Sequence, residues 1–115
     1  MKLQSRRRIT VDAVFDIETQ DWTTFVCGGI YTKDGAYWEY TYEREEEMAR
    51  DLTEFEGTVW AHNGGGFDFM WLLDWFMKWG IQARITSAGG TIIAIMAGKL
   101  RLFDSLALTK IGLAK

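Results

Sequence analysis

Asp16 and Glu18 lie one residue apart inside the otherwise apolar stretch AVFDIETQ, residues 13 to 20. In a β-strand, side chains at i and i+2 share a face, so both carboxylates project together while Phe15 and Ile17 turn to the opposite layer. Two such charges, about 6 to 7 Å apart along a strand, repel unless a cation or solvent separates them. Hard divalent ions such as Mg²⁺ or Mn²⁺ are held this way, through one or two carboxylates, several waters and a substrate phosphate. A D-x-E pair alone is common on exposed strand faces; its place at the end of a hydrophobic strand sharpens the metal reading. A second constellation is AHNGGGFDFMWLL, residues 61 to 73, where a strand end runs through three glycines into a helix. Glycine there permits a tight turn and close approach of another chain. Asp68 then falls in the first helical turn, where the macrodipole favours an acidic residue and Asn63 can simply form the turn. A phosphate-cradling P-loop is rejected, because no Gly-Lys-Ser/Thr follows.

Several elements must position these residues. Strand-like runs rich in Val, Ile, Phe and Thr cover 9–19 and 24–31, and a hairpin at Lys33-Asp34-Gly35 leads to a third strand at 36–42. From 43 to 55 the period becomes helical, with Met48, Leu52 and Phe55 on one stripe and an acidic cluster that reads as a solvated face. A short strand at 58–63 precedes the glycines. The helix at 67–79, FDFMWLLDWFMKW, is apolar on nearly every side, which implies cover on more than one face. Gly80 reads as its C-cap. Strands follow at 82–87, 91–97 and 100–104, and the tail has helical propensity. This order suggests an α/β sandwich around a mixed sheet of five or more strands, as a single domain over residues 1–115.

Taken together, VFDIET, then HNGGGFDFMWLL, then LRLFDSL resemble the 3′–5′ proofreading exonuclease domain of family B DNA polymerases, above all the protein-primed polymerases of phages and linear plasmids. The likeness runs from about residue 11 to 110. It implies a ribonuclease H-like α/β fold and hydrolysis of phosphodiester bonds at single-stranded DNA 3′ ends by two Mg²⁺ or Mn²⁺ ions. By that resemblance Asp16, Glu18 and Asp68 are catalytic metal ligands, Asp16 being shared between the ions. Thr19, Asn63, Phe67, Ser105 and Leu106 match positions that grip the DNA 3′ end, through a base stacked on Phe67 and hydrogen bonds from Thr19, Asn63 and Ser105. Two metals about 3.5 to 4 Å apart would activate a water for in-line attack and stabilise the departing oxygen. His62 reads as a structural imidazole, and Arg6, Arg7 and Arg8 as a solvated terminus. Asp104 precedes the DNA-contacting Ser-Leu pair in the family and takes no metal there.

The family's third motif, a Tyr followed four residues later by an Asp, has no counterpart: no acidic residue follows Asp104, and Tyr42 is the last tyrosine. The domain is therefore read as C-terminally truncated, supplying three of four metal carboxylates. It is then part or relic of a polymerase completed by another polypeptide, a user of a different fourth ligand, or a catalytically deficient phage-like pseudoenzyme serving as a protein-interaction or inhibitor module. Truncation would bare apolar surface, to which Trp71, Trp75, Phe76 and Trp79 would contribute, so a homo-oligomer partner or the remainder of a larger protein is expected to cover it. A net charge of −3 excludes a generally basic nucleic-acid binder, so any DNA contact is local. The single Cys27 excludes an intramolecular disulfide and reads as a small buried strand residue in a reducing, cytoplasmic setting, the host cytoplasm for a phage protein. No apolar run reaches the roughly 20 residues of a membrane span.

Overall fold

Seven strands form one mixed sheet in the order β3-β2-β1-β4-β7-β6-β5. The computed structural model describes residues 11–21, 24–61 and 68–106. Strands β1 (Ala13–Gln20), β2 (Thr24–Thr32) and β3 (Tyr37–Thr41) make an antiparallel meander. Its second turn is the expected hairpin, with Gly35 at φ 96° and the Thr32 hydroxyl bonded to the Asp34 carboxylate. A 3-10 turn at Tyr42–Arg44 leads into helix α1 (Glu45–Glu54), and the chain returns through β4 (Gly57–Ala61). Helix α2 (Asp68–Trp79) is followed by the antiparallel strands β5 (Arg84–Ala88), β6 (Thr91–Ala97) and β7 (Leu100–Asp104). Strand β4 runs parallel to both β1 and β7, so the middle of the sheet is parallel and its flanks antiparallel. The compact α/β fold with a mixed sheet was expected from the element order; the strand expected at 58–63 ends at Ala61 within the described residues.

Helices α1 and α2 pack on one face of the sheet. Alternation along β1 turns Ala13, Phe15 and Ile17 towards them, where Phe15 stacks on Phe69 of α2 at 6.3 Å between ring centres. Met48, Ala49 and Leu52 of α1 and Leu72 and Phe76 of α2 complete this core with Val59, Leu100 and Leu102. Gly28 of β2 is required at the α1 crossing, since a Cβ there would meet the Met48 Sδ at 2.5 Å and the Asp16 carbonyl at 3.1 Å. At the end of α2, Gly80 adopts φ 72° and the Ile81 N–H bonds the Phe76 carbonyl at 2.9 Å, closing the helix as expected.

Helix α2 is covered on more than one face, as expected, by the sheet and by α1, while Met70 and Met77 face out. One expectation about it is corrected: its aromatics do not form a bared surface, for Trp71 and Phe76 belong to the core, and Trp75 and Trp79 pack against it. The reason lies in α1, whose acidic cluster is not merely solvated. Glu45 accepts hydrogen bonds from the indole N–H of Trp71 at 2.8 Å and of Trp75 at 3.2 Å, and the Arg50 guanidinium sits over the Trp79 ring at 4.7 Å. Cys27 is only half-buried, on the opposite face of the sheet. Among the described residues no helix is long and apolar enough to cross a membrane.

Candidate functional site

The C-terminal ends of the parallel strands β1, β4 and β7 lie side by side, the edge where open α/β sheets place their ligands. Strand β1 delivers Asp16 and Glu18 there, exposed on the face away from the helices, with Thr19 half-buried beyond a register shift that follows Glu18. Strand β7 ends in Asp104, opposite Ala61 of β4, and Ser105 and Leu106 follow it, half-buried. Asn63, Phe67 and His62 lie outside the described residues.

Asp68 reaches this edge from the first turn of α2. Among the described residues β1 pairs with β4 only at Ala13 and Val14, so the backbone N–H of Ile17 has no strand partner on that side. The Asp68 carboxylate takes that place, its Oδ2 accepting from the Ile17 N–H at 3.3 Å. The contact ties α2 to β1 directly beside Asp16. Asp68 is 5% exposed, and burial raises its pKa from the ordinary 3.8 to about 7. The Ile17 hydrogen bond opposes that rise, while the charges of Asp16 and Asp104 add to it. Asp68, Asp16 and Asp104 therefore share one electrostatic environment, and Glu18 extends past them along β1.

Asp104, which the sequence reading kept out of the metal site, ends its strand at this same edge. It is 1% exposed and its Oδ1 accepts the Leu106 N–H at 3.0 Å. Only the parallel pairing of β4 with β7 brings it opposite Ala61, seven residues before Asp68, a register the sequence does not spell out. The one available signal was an acidic residue ending an apolar strand, LRLFD.

Among the described residues no three His, Cys, Asp or Glu side chains are already disposed around one metal position. The donor chemistry nevertheless fits a hard cation: carboxylate oxygens only, one of them held near a pKa of 7 by burial first and by the neighbouring charges second. One or two of these carboxylates, with waters and a substrate phosphate, satisfy the usual Mg²⁺ shell. Compared with known proteins, the chain matches no family model and no curated protein.

Proposed function

We propose that the chain is a ribonuclease H-like, metal-dependent 3′–5′ exonuclease domain that acts on single-stranded DNA 3′ ends, part or relic of a DNA polymerase of the protein-primed type. The observation that carries this reading is the Asp68 carboxylate, buried against the β1 backbone beside Asp16 and under the added charge of Asp104. A carboxylate so buried and so close to like charges is costly to ionise without a cation, and a divalent ion held by Asp16 and Asp68 would relieve that cost. When bound, the metal supplies an activated water and charge neutralisation at the leaving oxygen. Asp16 and Asp68 would hold it, Glu18 would extend the ligand row along β1, and Asp104 is the candidate for the carboxylate that the third motif would otherwise provide. Thr19, Ser105 and Leu106 flank the same edge, where a sugar-phosphate chain would lie, with Asn63 and Phe67 expected to join them.

The test is degradation of 5′-labelled single-stranded DNA in Mn²⁺ by the wild-type chain, Asp16→Ala and Asp104→Asn. Loss in both variants supports the enzyme and the added ligand; equal rates in all three chains, or none in any, reject it. A second reading, a catalytically deficient interaction module, is favoured by one observation: the aromatic face of the sheet, which no helix covers among the described residues.

A further inference from the structure

We propose that the cavity between the C-terminal end of α1 and the edge strand β3 binds a guanidinium group on a short apolar stem, from an arginine side chain or a small alkylguanidine. The inference does not rest on the nuclease reading. The cavity opens on the helix side of the sheet, whereas Asp16 and Glu18 project from the other.

Strand alternation builds its walls. Trp38 and Tyr40 of β3 turn to the helix side with Ile30, the partner of Trp38 on β2. Helix α1 ends at Glu54, and Phe55 leaves it in an extended conformation, at φ −69° and ψ 136°. Tyr40 and Ile30 are buried there, but Trp38, further along the edge strand, stays 48% exposed. A cavity of about 420 Å³ remains, with Ile30 and Tyr40 as its buried residues, Trp38 and Phe55 as its open aromatic ones, and Asp51, Glu54 and Glu56 as its charged ones. That volume is within the range of small-ligand sites.

Charge sets the sign of the ligand. All three ionised residues of the lining are acidic, and two of them stand in the last turn of α1, which holds no basic residue. The negative end of a helix disfavours added negative charge, so a cation bound there relieves an existing conflict. The cations nearby in sequence are committed elsewhere: Arg44 pairs with Glu47 at 2.8 Å and Arg50 with Glu46 at 3.0 Å. Lys99 meets Glu56 only at 4.0 Å, and Glu54 has no ion-pair partner among the described residues.

The aromatic wall sets its shape. Lys78 lies over Trp75 at 4.6 Å and Arg50 over Trp79 at 4.7 Å, while Trp38 carries no cation on its ring among the described residues. A metal ion would gain nothing from an indole. A guanidinium is flat, weakly hydrated and forked, so it can stack on Trp38 while its N–H groups reach Glu54 and Asp51, with its stem against Phe55 and Ile30.

The experiment is calorimetric titration of the full chain with butylguanidinium at about 50 mM and about 500 mM salt. Saturable binding is expected with a Kd of about 0.1 to 1 mM, weaker at the higher salt. Butylurea, of similar shape but neutral, should bind about tenfold more weakly or worse. Trp38→Leu, which keeps apolar cover, and Glu54→Gln should each weaken butylguanidinium about fivefold or more, with circular dichroism confirming that both variants are folded. N-acetyl-arginine amide separates the sources: tighter binding than butylguanidinium assigns the site to a peptide arginine, and weaker binding to a free small molecule. Absence of saturation up to about 10 mM overturns the proposal. So does equal binding of butylurea, or indifference to both substitutions. Binding that appears only in Arg6→Ala/Arg7→Ala/Arg8→Ala overturns it too, since the chain's own arginines would then be the occupant.

Discussion

Replacing Asp68 by Asn tests whether the carboxylates are truly crowded. The folded pKa of Asp68 is about 7 against an ordinary 3.8. Between those values the folded chain holds a proton that the unfolded chain has released, so stability falls as pH rises through this window. Three pH units correspond to about 4 kcal/mol, and partial relaxation of the ionised form leaves an expected penalty of about 2 to 4 kcal/mol above pH 7. Asn removes the charge while its Oδ1 can still accept the Ile17 N–H. Asp68→Asn should therefore be more stable than wild type at pH 8, by about 2 to 4 kcal/mol, with the two chains alike within about 0.5 kcal/mol at pH 4. For a domain of this size the difference at pH 8 raises Tm by roughly 8 °C or more. Urea denaturation read by Trp fluorescence at half-unit pH steps measures it. Mn²⁺ should narrow the gap at pH 8, because it stabilises the ionised wild type through mass action and the amide variant less. A variant destabilised equally at pH 4 and pH 8 would refute the reasoning, for Asp68 would then be an ordinary ionised carboxylate whose worth is its hydrogen bond.

Other substitutions probe the scaffold that places the site. Tyr40 is buried in the core and donates to the Asp51 carboxylate at 2.7 Å, so Tyr40→Phe should lower unfolding free energy by about 1 to 2 kcal/mol in urea titration. Leu72, fully buried between α2 and the sheet, should cost about 3 kcal/mol as Leu72→Ala by the same measurement. Gly28→Ala forces Met48 aside and presses on the Asp16 backbone; a loss of about 1 to 3 kcal/mol is expected, with a drop in any Mn²⁺-dependent activity larger than that stability loss explains. Glu45→Gln keeps an acceptor for both indoles but removes its charge, and a shift below about 1 kcal/mol with an altered Trp emission spectrum would identify it as a polar clamp rather than an ion-pair partner.

Local chemistry was legible in the sequence, and tertiary alignment was not. The Asp-Gly hairpin, the Gly80 cap and the outward pairing of Asp16 with Glu18 follow from rules that span only a few residues, and each appears in the fold. The roles of the aromatic helix could not be read, because Trp71 and Trp75 depend on Glu45, some 26 to 30 residues away, and helical periodicity says nothing of what lies across a helix pair. The nearness of Asp104 to Asp68 was not legible for a similar reason: it is fixed by the register between two parallel strands far apart in the chain. The cavity beside Trp38 has the same origin, since its members come from β2, β3 and the end of α1, and Trp38 and Glu54 each look locally like ordinary exposed residues.

Among the described residues β1 pairs with β4 at Ala13 and Val14, reinforced by Asp12, whose N–H donates to the Thr58 carbonyl at 2.9 Å and whose Oδ2 accepts the Thr58 N–H at 2.8 Å, while Asp68 ties α2 to Ile17 beyond that junction. The Ile17 amide is thus held by a side chain and not by a strand, and hydrogen exchange should show it opening earlier than its neighbours in the meander, at a rate that reports directly on the Asp68 contact.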